Sequence, residues 1–246
     1  MIYEHERLDE LHRNGYKLIQ DPNRFCFGID AVLLSDFATA NEGEDVLDMG
    51  CGNGAVTILL EAKTKAAHLY GLEIQKENCD LARRSVALNE LSDKIDICCG
   101  DICEAKEIFS GKRFDVIVTN PPYMAKGCGI VNPKDAKAIA RHEILCSLED
   151  VISQAGCLLR EKGRFYMIHR PYRIASIISL MREYEIEPKR MRLVYPYEKS
   201  EANLVLMEGS KGGGEEMKVM PPLVVYNEDG TYSKEIHEIY GEDWPG

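Results

Sequence analysis

A glycine-rich loop constrains this sequence more than any other feature. Gly50, Gly52 and Gly54 separate a short apolar run, Asp45–Met49, from a stretch with helical spacing at residues 55–65. Glycines permit positive φ and let the backbone approach a ligand with no Cβ in the way. The N-terminus of the following helix offers backbone N–H groups to the same ligand. The loop therefore predicts a nucleotide-like ligand at the carboxyl end of a strand.

Apolar runs typical of strands alternate with helical patterns along most of the chain. We predict strands at residues 45–49, 68–72, 95–99, 114–119 and 164–169, and helices at 55–65, 76–89, 139–159 and 174–184. Such alternation predicts an α/β fold with a mostly parallel sheet and helices on both faces. Two final strands, 191–195 and 203–207, lack a full helix between them. They predict an antiparallel edge hairpin, which gives seven strands in all.

Two regions lie outside this pattern. Residues 1–42 carry one short predicted strand at 16–20 and a helical patch at 29–38, and we treat them as an N-terminal extension of a domain at 43–209. Residues 210–214, rich in glycine, have the composition of a flexible linker. The tail that follows contains an apolar stretch at 221–226, which would add an edge element or dock on a partner.

The net charge of −11 argues against a protein that coats nucleic acid non-specifically. The charge is uneven, however: residues 124–141 carry +3 and residues 160–192 carry +5. A basic face can therefore exist on this acidic chain. Scattered, solvated charge is the alternative, because the sequence alone does not place these residues in space.

The nine cysteines have irregular spacings and form no C-x-x-C motif. We expect reduced thiols and no metal site. Apolar runs stay shorter than a membrane span, and the first residues are polar and acidic, unlike a signal peptide. The sequence therefore predicts a cytoplasmic protein without a membrane partner, and we expect a monomer.

Asp48 bears on which cofactor the loop binds. Gly50, Gly52 and Ala55 also satisfy the dinucleotide fingerprint G-x-G-x-x-G/A, so the glycines alone leave a dinucleotide open. A carboxylate just before the first glycine would repel a pyrophosphate, but it would suit the ammonium group of a methionine moiety. The position of Asp48 therefore favours S-adenosylmethionine.

Two more acidic residues follow the next two strands. Glu73 ends the second strand, where a carboxylate can accept hydrogen bonds from both hydroxyls of a ribose. Asp101 follows the third strand and could accept one from an adenine amino group, although it also suits the N-cap of the helix predicted at 102–109. We assign their neighbours Ile74 and Ile102 to the same cofactor site.

The tetrapeptide Asn120-Pro121-Pro122-Tyr123 follows the fourth strand. Its prolines force an extended, rigid path. That path holds the Asn120 side chain and the carbonyls of Asn120 and Pro121 as a fixed set of acceptors, and Tyr123 adds a flat ring beside them. A planar amine or amide, such as adenine or glutamine, fits this set.

Transfer of a methyl group to such a nitrogen requires this kind of site. The lone pair of a ring amino group is delocalised, so the nitrogen is a poor nucleophile. Acceptors that take its hydrogens draw the nitrogen toward tetrahedral geometry and free the lone pair. The enzyme then has to hold the nitrogen in line with the methyl group and to supply favourable electrostatics for the transfer. We predict that Asn120 holds the amine, Pro121 contributes its carbonyl and Tyr123 stacks.

Together, the Asp48 loop, Glu73, Asp101 and the tetrapeptide at 120–123 resemble the motif series of class I methyltransferases that act on amino nitrogens. The resemblance implies a Rossmann-like class I fold and S-adenosylmethionine as cofactor. Members with this tetrapeptide modify adenine N6 in DNA or RNA, or glutamine in release factors.

The segment from Phe25 to Leu34 resembles the element before the glycine loop in the bacterial tRNA1(Val) adenine-N6 methyltransferase family. The resemblance covers roughly residues 15 to 209. It implies that the anticodon-loop adenine of a tRNA is the substrate and that Phe27 and Asp30 close over the cofactor. A single-stranded loop gives up a base at little unpairing cost. The residues that we predict to contact the RNA are Pro122, Tyr123, Lys126, Lys134, Lys137 and Arg141.

Three alternatives stay open at this point. A protein glutamine methyltransferase would use the same tetrapeptide on an amide, although the Arg-Pro-x-x-Glu type of segment of those enzymes is missing here. A non-catalytic cofactor-binding or RNA-binding scaffold would have no need of the rigid turn. A dinucleotide-dependent oxidoreductase would have to tolerate Asp48 beside a pyrophosphate, and it leaves the tetrapeptide unexplained.

Overall fold

The computed structural model describes residues 2–24, 26–121 and 146–241. In chain order its strands are β1 (Arg7–Glu10), β2 (Lys17–Gln20), β3 (Asp45–Met49), β4 (His68–Glu73), β5 (Ile95–Cys99), β6 (Phe114–Thr119), β7 (Leu159–His169), β8 (Ile186–Tyr195), β9 (Leu204–Lys211), β10 (Lys218–Val219) and β11 (Leu223–Val224). Its helices are α1 (Ile29–Phe37), α2 (Ala55–Lys63), α3 (Lys76–Leu88), α4 (Ala105–Ile108), α5 (Leu148–Leu158), α6 (Ile174–Glu183) and α7 (Lys234–Tyr240), with 3-10 turns at Ile102–Glu104 and Pro171–Arg173.

The seven predicted strands form the body of one sheet in the order β5-β4-β3-β6-β7-β9-β8. Strands β3 to β7 pair in parallel, and β9 runs antiparallel to both β7 and β8. The connection between β8 and β9 is too short for a parallel crossover, so these two strands form the predicted hairpin. The α/β fold with a mostly parallel sheet is confirmed. In the described residues, β10 and β11 add to the outer edge of β8 and make a sheet of nine strands.

Central strands alternate their side chains between two buried layers. Val46 of β3 belongs to one core cluster, whereas its neighbour Leu47 belongs to the cluster on the opposite face. This alternation is the two-residue period of a strand that is buried on both faces. The charged Asp115 near the start of β6 is accommodated because it accepts a hydrogen bond from the Asp45 backbone at 2.9 Å and pairs with Arg160 at 2.7 Å.

The N-terminal region forms an antiparallel hairpin of β1 and β2, followed by α1. Strand β2 lies against α3, where the Ile19 backbone donates to Ser85 Oγ at 3.0 Å and the Lys17 backbone donates to Asn89 Oδ1 at 2.8 Å. Strand β1 was not predicted, because Arg7–Glu10 has a single apolar residue and no alternation. Its partner β2 sets its conformation.

The tail is folded onto the sheet. Strand β9 continues through Lys211, so the prediction of a flexible linker was wrong for Ser210 and Lys211, which pair with β8. The apolar stretch of the tail contains β11, which pairs with β8 at the edge of the sheet. Of the two options predicted for this stretch, an edge element or a docking segment, the structure shows the edge element. Helix α7 buries Ile236 and Ile239 in the core cluster that contains Leu34. The division of the chain at residues 42 and 209 stays a prediction.

The prediction of a helix at 139–159 was wrong for Cys146 and Ser147, which are described and not helical, and α5 begins at Leu148. The helix starts there because Ser147 and Asp150 form a capping box. Residues 139–145 lie outside the described residues. In the described ranges, every helix is too short or too polar to cross a bilayer.

Candidate active site at the carboxyl ends of the central strands

The glycine loop turns sharply at the carboxyl end of β3. Gly50, Gly52 and Gly54 have φ of 79°, 56° and 86°, a region that favours glycine. The backbone N–H groups of Gly50 and Cys51 donate to the Leu72 carbonyl at 2.8 and 3.0 Å, which ties the loop to the end of β4. A Cβ on Gly52 would meet no atom within 4 Å, so this glycine faces open space. The loop therefore presents bare backbone, as predicted.

Glu73 is held in place by backbone groups from two sides. Its side chain is buried, with 5% exposure, at the end of β4. Oε2 accepts from the Gly52 backbone at 3.0 Å, and Oε1 accepts from the Gln75 backbone at 2.8 Å. The carboxylate thus bridges the glycine loop and the start of α3. That the same carboxylate also accepts hydrogen bonds from two ribose hydroxyls stays a prediction.

Asp48 lies behind the glycine loop and is 1% exposed. It accepts a hydrogen bond of 2.6 Å from Thr57 Oγ1 in the first turn of α2. Burial, with a smaller contribution from the charge of Glu73, raises the pKa of this carboxyl to about 7 despite the lowering effect of the Thr57 bond. Thr57 was not predicted. The available signal was a hydroxyl on the buried face of the helix that follows the loop.

Asp101 comes at the end of β5, half-buried, and its Oδ1 accepts from the Cys103 backbone at 2.9 Å. The capping role considered from the sequence is therefore present. The Gly100 backbone donates to the Glu73 carbonyl at 2.9 Å, so the ends of β4 and β5 lie side by side. Ile102 reaches toward the loop, since its Cδ1 would lie 3.5 Å from a Cβ on Gly50. Ile74 directly follows Glu73 in the chain and is half-buried.

Asn120 directly follows β6, the strand beside β3. Thr119 Oγ1 donates to the Met49 carbonyl at 2.8 Å, which fixes this strand end against the glycine loop. The Asn120 Nδ2 donates to Asp30 Oδ2 at 3.1 Å. Because a carboxylate only accepts hydrogen bonds, this contact orients the amide with its nitrogen toward Asp30. Pro121 is buried next to it.

The remaining predicted substrate residues cannot be placed. Pro122, Tyr123, Lys126, Lys134, Lys137 and Arg141 lie outside the described residues, and so does Phe25. Their assignments stay predictions.

Gln20 joins the N-terminal region to the glycine loop. It is 1% exposed at the end of β2, and its Oε1 accepts from the Phe27 backbone at 2.9 Å and from Asn53 Nδ2 at 3.2 Å. Its Nε2 donates to Asp9. Neither Gln20 nor Asn53 was predicted as a site residue. The available signal was a glutamine that directly follows the apolar residues Leu18 and Ile19 in the same short strand, because a buried glutamine side chain needs polar partners.

Three groups with metal-binding atoms meet beside Asp101. The donor atoms of Cys103, Cys146 and Asp150 lie within 4.8 Å of one another, and all three side chains are half-buried. The Asp150 carboxylate already accepts from the Ser147 backbone and hydroxyl at 2.8 and 2.7 Å. The expectation that this protein holds no metal stays a prediction.

Comparison with known proteins identifies the family. The family model described as the methyltransferase small domain matches residues 16–183. The chain belongs to the methyltransferase small domain family. The prediction that it is a methyltransferase is thereby confirmed. The match spans β2 to α6 and includes the glycine loop, Glu73, Asp101 and Asn120.

Relatives of this methyltransferase small domain protein carry a specific name. A tRNA1(Val) (adenine(37)-N6)-methyltransferase of Porphyromonas gingivalis is 28% identical over 216 residues, which are 85% of this chain and 84% of that protein. A protein of the same name from Aeromonas hydrophila is 26% identical over 207 residues, 84% of each. The family resemblance noted from the sequence is confirmed.

Solved structures share the fold. A predicted O-methyltransferase from Agrobacterium tumefaciens superposes with a TM-score of 0.68 at 21% identity, over 86% of this chain and 95% of that chain. A tRNA m1G37 methyltransferase from M. jannaschii gives a TM-score of 0.58 at 16% identity, over 85% of this chain and 55% of that chain. These likenesses confirm the class I methyltransferase fold.

Proposed function

We propose that this protein transfers a methyl group from S-adenosylmethionine to the N6 nitrogen of an adenine in tRNA, the anticodon-loop adenine of tRNA1(Val). One observation carries the proposal: Asp30 orients the Asn120 amide at a strand end that Thr119 fixes to the glycine loop. The names of the relatives favour tRNA as the substrate, because their similarity extends over 84–85% of this chain.

The residues around the loop fit S-adenosylmethionine. Glu73 offers a buried carboxylate for the ribose, Gly52 leaves open space for the ligand, and Asp101 stands one strand further for the adenine amino group. Asp48 places a carboxyl behind the loop, and the positively charged ammonium group of the ligand would favour the ionised form of this buried group. Ile74 and Ile102 supply apolar contacts.

The chain's own contribution to catalysis is the placement of acceptors. S-adenosylmethionine, when bound, supplies a methyl group already activated by a positively charged sulfur. With its nitrogen held by Asp30, Asn120 turns its Oδ1 to the substrate amine as an acceptor. The Pro121 carbonyl accepts the second hydrogen, and Tyr123 stacks on the base. Hydrogen bonds from both amine hydrogens to these acceptors would localise the lone pair on the nitrogen, and one of the two protons would leave once the methyl group is transferred.

The N-terminal extension covers the cofactor in this proposal. Its contacts with the site support this: Asp30 binds Asn120, and Gln20 binds both Asn53 of the glycine loop and the backbone of Phe27. Lys126, Lys134, Lys137 and Arg141 follow the tetrapeptide closely and are proposed to bind tRNA phosphates in the cytoplasm.

Methyl transfer to defined substrates tests the proposal. The full-length protein is incubated with labelled S-adenosylmethionine and either a tRNA1(Val) transcript, the same transcript with the anticodon-loop adenine changed to guanine, or a release factor. We expect label in N6-methyladenosine after digestion of the first RNA and none in the second. Label in both RNAs would refute the position, and label only in the protein would establish the glutamine alternative.

A further inference from the structure

The basic stretch at residues 160–192 is divided between two ends of the molecule. Most of its charges form ion pairs near strand starts or along the edge of the sheet. Arg160 pairs with Asp115 at 2.7 Å. Arg182 pairs with Glu187 at 3.3 Å, and Arg192 pairs with Glu235 at 2.6 Å. Arg190 pairs with Glu208. Arg170 and Arg173 instead follow the carboxyl end of β7, on the edge of the sheet that carries the site.

These two arginines flank an exposed aromatic ring. The segment Arg170-Pro171-Tyr172-Arg173, here called the β7 loop, contains Tyr172 with 59% exposure, more than Tyr3 or Tyr197 at 45% each. Pro171 restricts the backbone. The Arg170 backbone donates to His169 Nδ1 at 2.7 Å, and its guanidinium donates to the Asn203 carbonyl at 3.0 Å, so the start of the loop is anchored.

The β7 loop begins next to the proposed catalytic turn. Strands β6 and β7 pair in parallel with Thr119 opposite Met167, so Asn120 and the β7 loop leave the sheet at neighbouring strand ends. Neighbouring strands lie about 4.8 Å apart. A nucleotide adjoining the one held at Asn120 is therefore within reach of the loop.

The sequence of the β7 loop carries a net positive charge. Its four residues include two arginines and no acid. In the part of the chain that the structure describes, the Nε atom of Arg173 is buried and has no hydrogen-bond partner. The buried His169 beside the loop does not add to this charge, because burial, reinforced by Arg173 and Arg170, lowers its pKa to about 4 and keeps the ring neutral.

We propose that the β7 loop is a second RNA-binding surface, on which Tyr172 stacks against a nucleotide flanking the target adenine while Arg170 and Arg173 bind the adjacent phosphates. This inference rests on the proposed function and names residues that bind substrate away from the reacting nitrogen. An exposed ring between arginines suits single-stranded RNA, because every base has a face for stacking and every linkage a phosphate for a guanidinium.

Binding of the tRNA1(Val) transcript by full-length variants tests the surface. Base stacking on an aromatic ring contributes about 1–3 kcal/mol per base, so we expect Tyr172→Ala to weaken binding by about 5- to 100-fold. Tyr172→Phe keeps the ring and should stay within about twofold of the wild type. Each variant should bind S-adenosylmethionine as the wild type does, which shows that it is folded.

Salt dependence tests the arginines separately. One phosphate contact to single-stranded RNA contributes about 0.7 to the slope of log K against log salt, so Arg173→Ala should lower the slope by about that amount. Arg182→Ala is the matched control, because it removes an exposed arginine from the opposite end of the same helix region. Its slope should equal that of the wild type.

The outcomes separate the two proposals. One outcome would overturn the β7 loop surface and leave the proposed function intact. In that outcome the wild-type protein methylates the tRNA, while Tyr172→Ala and Arg173→Ala bind the tRNA as tightly as the wild type does. An equal loss of slope in Arg182→Ala would also overturn the β7 loop surface. Wild-type protein that neither binds nor methylates tRNA would overturn both.

Discussion

Among the single residues of this site, Glu73 is the carboxylate that we propose binds the cofactor ribose. Hydrogen bonds to charged groups contribute about 1.5–3 kcal/mol, so we expect Glu73→Ala to weaken S-adenosylmethionine binding by about 10- to 100-fold. Isothermal titration calorimetry measures the effect. Glu77→Ala is a matched control, since that glutamate is 63% exposed in the first turn of α3. Equal affinities for the two variants would remove Glu73 from the site.

The buried carboxyl of Asp48 predicts a pH dependence of stability. Its pKa of about 7 in the folded protein exceeds the ordinary value of 3.8, so between these values the folded chain holds a proton that the unfolded chain has lost. The free energy of unfolding must then fall as pH rises from about 4 to 7. We expect Asp48→Asn to remove this trend while it keeps an acceptor for Thr57.

Denaturant unfolding of the ligand-free protein at pH 5, 6, 7 and 8 checks this prediction. The difference between wild type and Asp48→Asn isolates the carboxyl, because other titrating groups, including His169, are common to both proteins. A difference that stays constant across this range would show that Asp48 is already ionised at pH 5.

Among the elements, α1 and the segment that follows β6 are joined by the hydrogen bond between Asn120 and Asp30. Loss of this bond frees the Asn120 amide to rotate, so we expect Asp30→Ala to lower the rate of methyl transfer by about tenfold with little change in tRNA affinity. Asp30→Asn retains an acceptor for Asn120 Nδ2 and should restore most of the rate. Steady-state kinetics separate kcat from KM. A lower rate in both variants would assign Asp30 a role that requires its charge.

The sequence predicts the elements of this site better than their mutual contacts. Glu73, Asp101 and Asn120 were placed correctly at strand ends, because each follows an apolar run whose position in the parallel sheet is set by the alternation of strands and helices. The Asp30–Asn120 and Gln20–Asn53 contacts were not predicted. They join residues 90 and 33 positions apart, and no local periodicity reports such pairs.

Of the two short edge strands, β10 was not predicted, and β11 was predicted only as one of two options for the tail, for a different reason. Strands β10 and β11 have two residues each, too few to show an alternation, and their register is set by β8. The glycines at 212–214 resemble a linker by composition, yet Gly212 has a φ of 57° and directs the chain back toward the sheet edge. Composition alone does not distinguish such a turn from a flexible linker.

At the scale of the whole molecule, the C-terminal tail contributes to the stability of the core. Ile236 of α7 is fully buried, and truncation of a buried isoleucine typically costs about 2–5 kcal/mol. We therefore expect Ile236→Ala to lower the free energy of unfolding by this amount. Val219→Ala, in the same tail at 63% exposure, should change it by less than about 0.5 kcal/mol. Equal effects in urea titrations would show that α7 is not part of the cooperative fold.

The central claim is that Asn120 holds the substrate amine beside the cofactor site. Single-turnover methyl transfer to the tRNA1(Val) transcript, at saturating S-adenosylmethionine, tests it most directly in the wild type and in Asn120→Ala. Loss of a preorganised hydrogen-bonding partner of the reacting group costs about 100- to 1,000-fold in rate. We predict a loss of this size with cofactor affinity within about threefold of the wild type. A variant that keeps more than half of the wild-type rate would contradict the account.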